Sequence, residues 1–153
     1  MQSGTLSRSE VTSVIPHRDH ALFVDDVHVD GWEVRGGSCW SAAHPHLQGH
    51  FPGMPIVPGV YLIEAAAQLG GVAICQRGGD AAGLMGVLAG VRRCHFHRFV
   101  RPDERVDFAL TVAPMPGTRM YSVSGQGLLA GETAVSVDIV VAMVAADSVQ
   151  EAA

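Results

Sequence analysis

The chain has 153 residues, nearly half of them apolar, a formal net charge of −5 and no lysine. This length predicts one domain spanning 1–153, with its core over about 14–146, and the composition excludes a disordered chain. An acidic balance also argues against general nucleic-acid binding, which needs a basic surface.

Along the chain, Ser7 and Glu10 fit a capping box, predicting a short helix from about Arg8 to Val14 that Pro16 stops. "ALFVDDVHVD" reads as a strand ended by Gly31. "WEVRGGSCWSA" reads as a second, interrupted near Gly36-Gly37. "HPHLQGHFPGMPIVPG" holds too many Pro and Gly for regular structure and is expected to be a shaped loop. A helix follows over Val60–Gln76, with Pro58 suited to its first turn. It is apolar nearly all round, which predicts burial on every side. Gly70-Gly71 weakens it and predicts close approach of another backbone.

"RGGDAAG" is expected to be a loop, followed by about four strands in "LMGVLAGVRRCHFHRFV", "ERVDFALTVAPM", "RMYSVSGQGLLA" and "TAVSVDIVVAMVA". "AGE" marks a hairpin before the last of them, where Val135, Val137, Ile139 and Val141 form an alternating, half-buried pattern. Strands without helices between them pair antiparallel, so the expected fold is α+β, one curved sheet wrapped around a long central helix. No run is read as a membrane span: the longest, from Val57 to Cys75, is interrupted by Glu64, Gln68 and two glycines. The N-terminus lacks the apolar core of a signal peptide, and three isolated cysteines make no disulfide framework. A reduced, cytoplasmic setting is expected.

Glu64 is the residue that asks for a reason, because it sits in an apolar run with nothing nearby in sequence to neutralise it. Burial raises a carboxyl pKa, and a carboxyl kept protonated near neutral pH serves as a general acid. A glutamate hydrogen-bonded to a loop or facing a solvent gap is the alternative. Gln68 lies one helical turn on and can bond Glu64, or serve as a core amide. His50 stands in the Gly/Pro-rich loop just ahead of the helix, a candidate general base or a structural loop residue. Gly59, at the helix start, offers a backbone N–H without an intrahelical partner, where an oxyanion can be stabilised. Base, acid and oxyanion donor together suit removal of a proton next to a carbonyl with expulsion of a hydroxyl. Arg92, Arg93, Arg98, Arg101 and Arg105 make up half of the arginine, either a solvated strand face or a docking patch for an anionic partner.

"IPHRDHALFVDDV", "QGHFPGMPIVPGVYLIEAAAQLGG" and "AGVRRCHFHRFVRPDERV" resemble, in order and spacing, the (3R)-hydroxyacyl-acyl carrier protein dehydratases of the FabZ type. The resemblance runs from about Val14 to Met143. It implies the hot-dog fold and the catalytic pair His50 and Glu64. It also implies Gly59 as oxyanion donor, Gln68 as support, and a substrate loop of Phe51, Pro52, Gly53 and Pro58. Further implications are a homodimer, or a trimer of dimers, with His50 and Glu64 of one site on different subunits; acyl carrier protein as partner; and no metal or cofactor. An acidic carrier would dock on the arginine segment. The sequence departs from the family pattern at His97 and Phe99, at "PDE" (Pro102–Glu104) and at Leu47, changes that touch the carrier contact, the assembly size and the acyl pocket, leave the pair intact, and fit a specialised pathway rather than general fatty acid synthesis. The rival readings are a metal site at His44, His46 and His50 or at His95 and His97, a thioesterase on the same fold, and a non-catalytic partner subunit of a heteromeric dehydratase.

Overall fold

The computed structural model describes residues 3–77 and 83–151. The strands are β1 (Gly4–Ser7), β2 (Asp26–Asp30), β3 (Glu33–Cys39), β4 (Leu84–Phe96), β5 (Arg105–Pro114), β6 (Met120–Leu129) and β7 (Glu132–Ala145). They form one antiparallel sheet in the order β1-β2-β3-β5-β6-β7-β4. The helices are α1 (Arg8–Val11), α2 (Pro45–Gln48), α3 (Gly59–Arg77) and α4 (Ala146–Glu151). With 19 residues, α3 runs about 28 Å and contacts β2 through β7. A sheet curled around one helix is the hot-dog architecture expected from the sequence.

Local chemistry accounts for most boundaries. The Glu10 carboxylate accepts the Ser7 N–H at 2.8 Å, as the capping box requires, but α1 ends at Val11, short of Pro16. The predicted first strand begins only at Asp26, because Asp19–Ala21 form a single 3-10 turn and the chain stays irregular to Asp25. β3 runs unbroken through Gly36-Gly37. These glycines supply room: a Cβ at Gly36 would come within 2.5 Å of Leu69 on α3, and one at Gly37 within 2.0 Å of the Arg105 guanidinium. The hairpin at "AGE" is present, with Ala130 and Gly131 both at positive φ between paired Leu129 and Glu132. The loop expected at "RGGDAAG" includes 78–82, which lie outside the described residues.

Two expectations about α3 are corrected. It is not buried on every side: Val60 is 65% exposed, and Ile63, Glu64 and Ala67 on the same face are only partly covered. The sheet wraps the opposite side, where Leu62, Ala65, Ala66, Leu69, Val72 and Ala73 enter the core. By length and composition alone α3 does qualify as a membrane span, yet its apolar residues are spent largely on this core.

The glycine pair also differs from expectation. What crowds Gly70 is a side chain, since a Cβ there would stand 2.6 Å from Val123 Cγ2, whereas a Cβ at Gly71 would meet Ile15 at 3.9 Å, an ordinary van der Waals contact. Val123 is β-branched and cannot swing away cheaply. Gly70→Ala is therefore expected to destabilise the protein by about 1–3 kcal/mol. Gly71→Ala should stabilise it by up to ~1 kcal/mol through helix propensity. Urea unfolding midpoints for the two variants check this contrast.

Candidate active site

Glu64 projects from the open face of α3 and is held from two directions. The Gln68 amide donates to Glu64 Oε1 at 2.8 Å. Gln68 itself is buried, and its orientation is set by backbone: Nε2 also donates to the Ala21 carbonyl at 2.7 Å, and Oε1 accepts the Phe23 N–H at 2.8 Å. The loop before β2 thus satisfies one side of this glutamine, and the glutamine presents its remaining hydrogen to Glu64. The second contact was not anticipated: His17 Nε2 lies 3.4 Å from the same Oε1.

This changes the electrostatics expected of Glu64. Burial is the largest influence and pushes its pKa up, but the hydrogen bonds from His17 and Gln68, with the electrostatic effect of the imidazole, outweigh it. The net displacement is downward, toward the carboxylate, the reverse of what burial alone predicts. The side chain is also 38% exposed, so desolvation is incomplete.

A cavity of about 210 Å³ opens beside Glu64. Ala67, Gly71 and Cys75 continue its α3 wall, while Ile15–His17, β4 from Met85 to Leu88, and Val141 close the other sides. From Glu64 to Cys75 the wall is about 16 Å long.

His50 does not line this cavity. It follows α2 in a loop tied by its own backbone, with Ile56 N–H bonding the His50 carbonyl at 2.8 Å and Val57 N–H bonding the Val100 carbonyl at 2.8 Å. His50 Nδ1 is 2.9 Å from the Ile56 carbonyl, and since a carbonyl only accepts, Nδ1 carries the hydrogen. In the neutral ring this puts the lone pair on Nε2, the arrangement a general base uses. The ring stacks on Phe51, which with Pro52 and Gly53 stands exposed, while Pro58 directly precedes α3. Gly59 begins α3, where its N–H has no intrahelical acceptor. The space left by its missing side chain is taken up by the Phe96 ring, 2.9 Å from where a Cβ would stand.

The arginine segment is less free than its sequence implies. Arg105 bonds Asp26 and Asp107, Arg98 bonds Glu132, and Arg92 lies 3.9 Å from Asp138. Arg93 and Arg101 make no ion pair among the described residues. The histidine spacing does not form a metal centre either: among the described residues no three His, Cys, Asp or Glu side chains are grouped to hold an ion. His46 Nδ1 is hydrogen-bonded to the Tyr61 hydroxyl instead.

A family description for the ApeI dehydratase matches residues 32–132. The 3-hydroxyacyl-[acyl-carrier-protein] dehydratase FabZ of Pelotomaculum thermopropionicum is 38% identical over 115 residues, 74% of this chain and 81% of the relative. The chain belongs to the ApeI-like and FabZ dehydratase family. FabZ of Oceanobacillus iheyensis, another member, is 35% identical over 136 residues, 88% of this chain and 96% of that one. In three dimensions the dehydratase heterocomplex ApeI:P from Xenorhabdus doucetiae matches with a TM-score of 0.75 at 17% identity, covering 93% of this chain and 95% of that one. That likeness bears on the fold.

Proposed function

We propose that this chain dehydrates a 3-hydroxyacyl thioester on acyl carrier protein to the trans-2-enoyl thioester, in fatty acid or polyketide-type biosynthesis; its FabZ relatives are named 3-hydroxyacyl-[acyl-carrier-protein] dehydratases. The observation that carries this reading is a carboxyl held in place by a buried glutamine at one end of an elongated, largely apolar cavity. His50 Nε2 removes a proton from C2, and the developing enolate oxygen is met by the Gly59 N–H at the start of α3. Glu64 gives its proton to the C3 hydroxyl, which leaves as water while the C2–C3 double bond forms. The step ends with a protonated His50 and an ionised Glu64, so atoms and charge balance without metal or redox cofactor.

The site is read as completed across a homodimer. Within one protomer His50 does not line the Glu64 cavity. β4 ends the sheet, and Val87, Leu88, Val91 and Phe96 along it are exposed, as is Val60 at the start of α3. A long apolar edge strand seeks a partner strand. A second copy on this edge would bring its His50 to Glu64. Covering the cavity also removes water, which strengthens the upward push of burial and returns Glu64 toward the protonated form that the acid role needs. Arg93 and Arg101 remain available to the acidic carrier, and a cytoplasmic location belongs to the same reading.

Purified protein given (3R)-hydroxyacyl carrier proteins of graded chain length is expected to raise enoyl absorbance without releasing thiol. The cavity is small for a ligand pocket, so short and medium chains should turn over faster than long ones. Thiol release without enoyl product would replace this reading with that of a thioesterase.

A further inference from the structure

His17 comes from the loop between α1 and β2 and reaches the oxygen of Glu64 that already accepts the Gln68 amide. At 3.4 Å the contact is at the long limit of a hydrogen bond, and such bonds tighten when substrate closes a site. The other ring nitrogen, Nδ1, is buried with no hydrogen-bond partner among the described residues. Orphaned buried N–H groups are rare because they cost a full desolvation penalty. A neutral ring that leaves Nδ1 bare keeps its hydrogen on Nε2, the nitrogen 3.4 Å from Glu64 Oε1, and a charged ring holds one there as well. Glu64 Oε2, by contrast, takes part in no hydrogen bond among the described residues.

We infer that His17 is a positioning residue for the Glu64 carboxyl: with Gln68 it occupies Oε1 as a donor, so that the transferred proton is carried on Oε2. This rests on the general-acid role given to Glu64 above. An oxygen already facing two N–H donors has no room for its own hydrogen, whereas the unengaged oxygen has. The proton then has one address, and the carboxyl one orientation, when substrate arrives.

Few titratable groups share this cavity. His17 comes from the loop and Cys75 from α3 itself; β4 and β7 present Met85, Gly86, Val87, Leu88 and Val141, none of which titrates. In the proposed dimer, His50 of the second copy is added. Donors to a carboxyl favour its ionised form. Removing the His17 donor should thus shift Glu64 toward protonation at a given pH. Because the acid acts when protonated, the alkaline limb of the rate profile moves to higher pH.

The test compares His17→Gln, His17→Asn and His17→Ala with wild type, using the full chain and a 3-hydroxyacyl carrier protein. The amide nitrogen of glutamine can stand about where Nε2 stands, and that of asparagine about where Nδ1 stands. His17→Asn and His17→Ala are expected to lower kcat by about 10-fold, a fraction of what a full acid–base group supplies. KM should stay within about twofold, since substrate binding does not run through Oε1. In both variants the alkaline limb should move up, and His17→Gln should restore both kcat and the limb. The Gln and Asn variants carry the comparison should His17→Ala fold poorly. If all variants keep the wild-type kcat and pH profile, or if asparagine restores as well as glutamine, the assignment is overturned. Glu64→Gln, assayed in parallel, separates the two levels. If it stays active, the acid role itself falls. If it is inactive while every His17 variant behaves as wild type, only the role of His17 falls.

Discussion

Mixing His50→Ala with Glu64→Gln is expected to restore dehydration that neither variant shows alone. Each single variant removes one acid–base group and should lose about 10²- to 10⁴-fold in kcat. In a two-fold symmetric dimer whose sites each draw on both subunits, a mixed dimer carries one doubly damaged site and one intact site. Random reassortment makes half of the dimers mixed, so roughly a quarter of the wild-type activity should return. Co-expression with two different tags, followed by sequential purification, isolates the mixed species and raises the expected recovery to about half. Failure of that species to regain activity would mean that His50 and Glu64 of one site lie on one chain, or that one of them is not catalytic. The reason to expect recovery lies in the protomer: its Glu64 cavity is walled by the 15–17 loop, α3, β4 and Val141, with no contribution from His50.

The second large effect concerns Gln68, whose replacement should damage folding and catalysis together. Its amide serves the Ala21 carbonyl, the Phe23 N–H and Glu64 from a position that is 2% exposed. Gln68→Leu keeps much of the volume and strands two backbone groups; each loss costs about 1–3 kcal/mol. The sum is a large share of a typical stability of about 5–15 kcal/mol. Gln68→Glu offers a sharper test. The introduced carboxylate can still accept the Phe23 N–H, but it sets an oxygen against the Ala21 carbonyl and a like charge against Glu64. A like charge raises a carboxyl pKa in the folded state, so the folded protein then holds more protons than the unfolded chain. Stability falls as pH rises under that condition, so this variant should be least impaired at mildly acidic pH and most impaired at mildly alkaline pH. Urea unfolding at both pH values reads the sign directly. A pH-independent loss equal to that of Gln68→Leu would show that the Glu64 contact contributes nothing.

The motif around Glu64 was legible because its parts are close in the chain. Gln68 lies one helical turn beyond Glu64, and helix geometry alone puts the two on one face. His50, Gly59 and the Pro/Gly loop precede that helix directly, so their order conveys their neighbourhood. The alternation of β7 likewise announced which of its side chains enter the core, and Val135, Val137, Ile139 and Val141 are all buried. Hydrophobic periodicity and turn chemistry are short-range properties, and the features that rest on them can be read along the chain: the long helix, the later strands and the α+β class.

Tertiary structure alone decided the features that depend on distant segments meeting. No spacing rule connects His17 to Glu64, although "IPHRDH" stands within a recognisable segment; the loop before β2 has to fold over α3 first. The pairing of β4 with β7 rather than with β5 has the same character, and it is what leaves an apolar strand at the sheet edge. The direction of the Glu64 pKa shift reversed for this reason. A sequence shows the apolar neighbours that desolvate a carboxyl, while the donors that counter them arrive from elsewhere in the chain. Likewise the arginines that look like one basic patch are partly neutralised by Asp26 and Glu132, brought beside them by strand register and a hairpin. Local pattern determines which elements form, whereas charge balance and site assembly are sums over contacts between segments far apart in the chain.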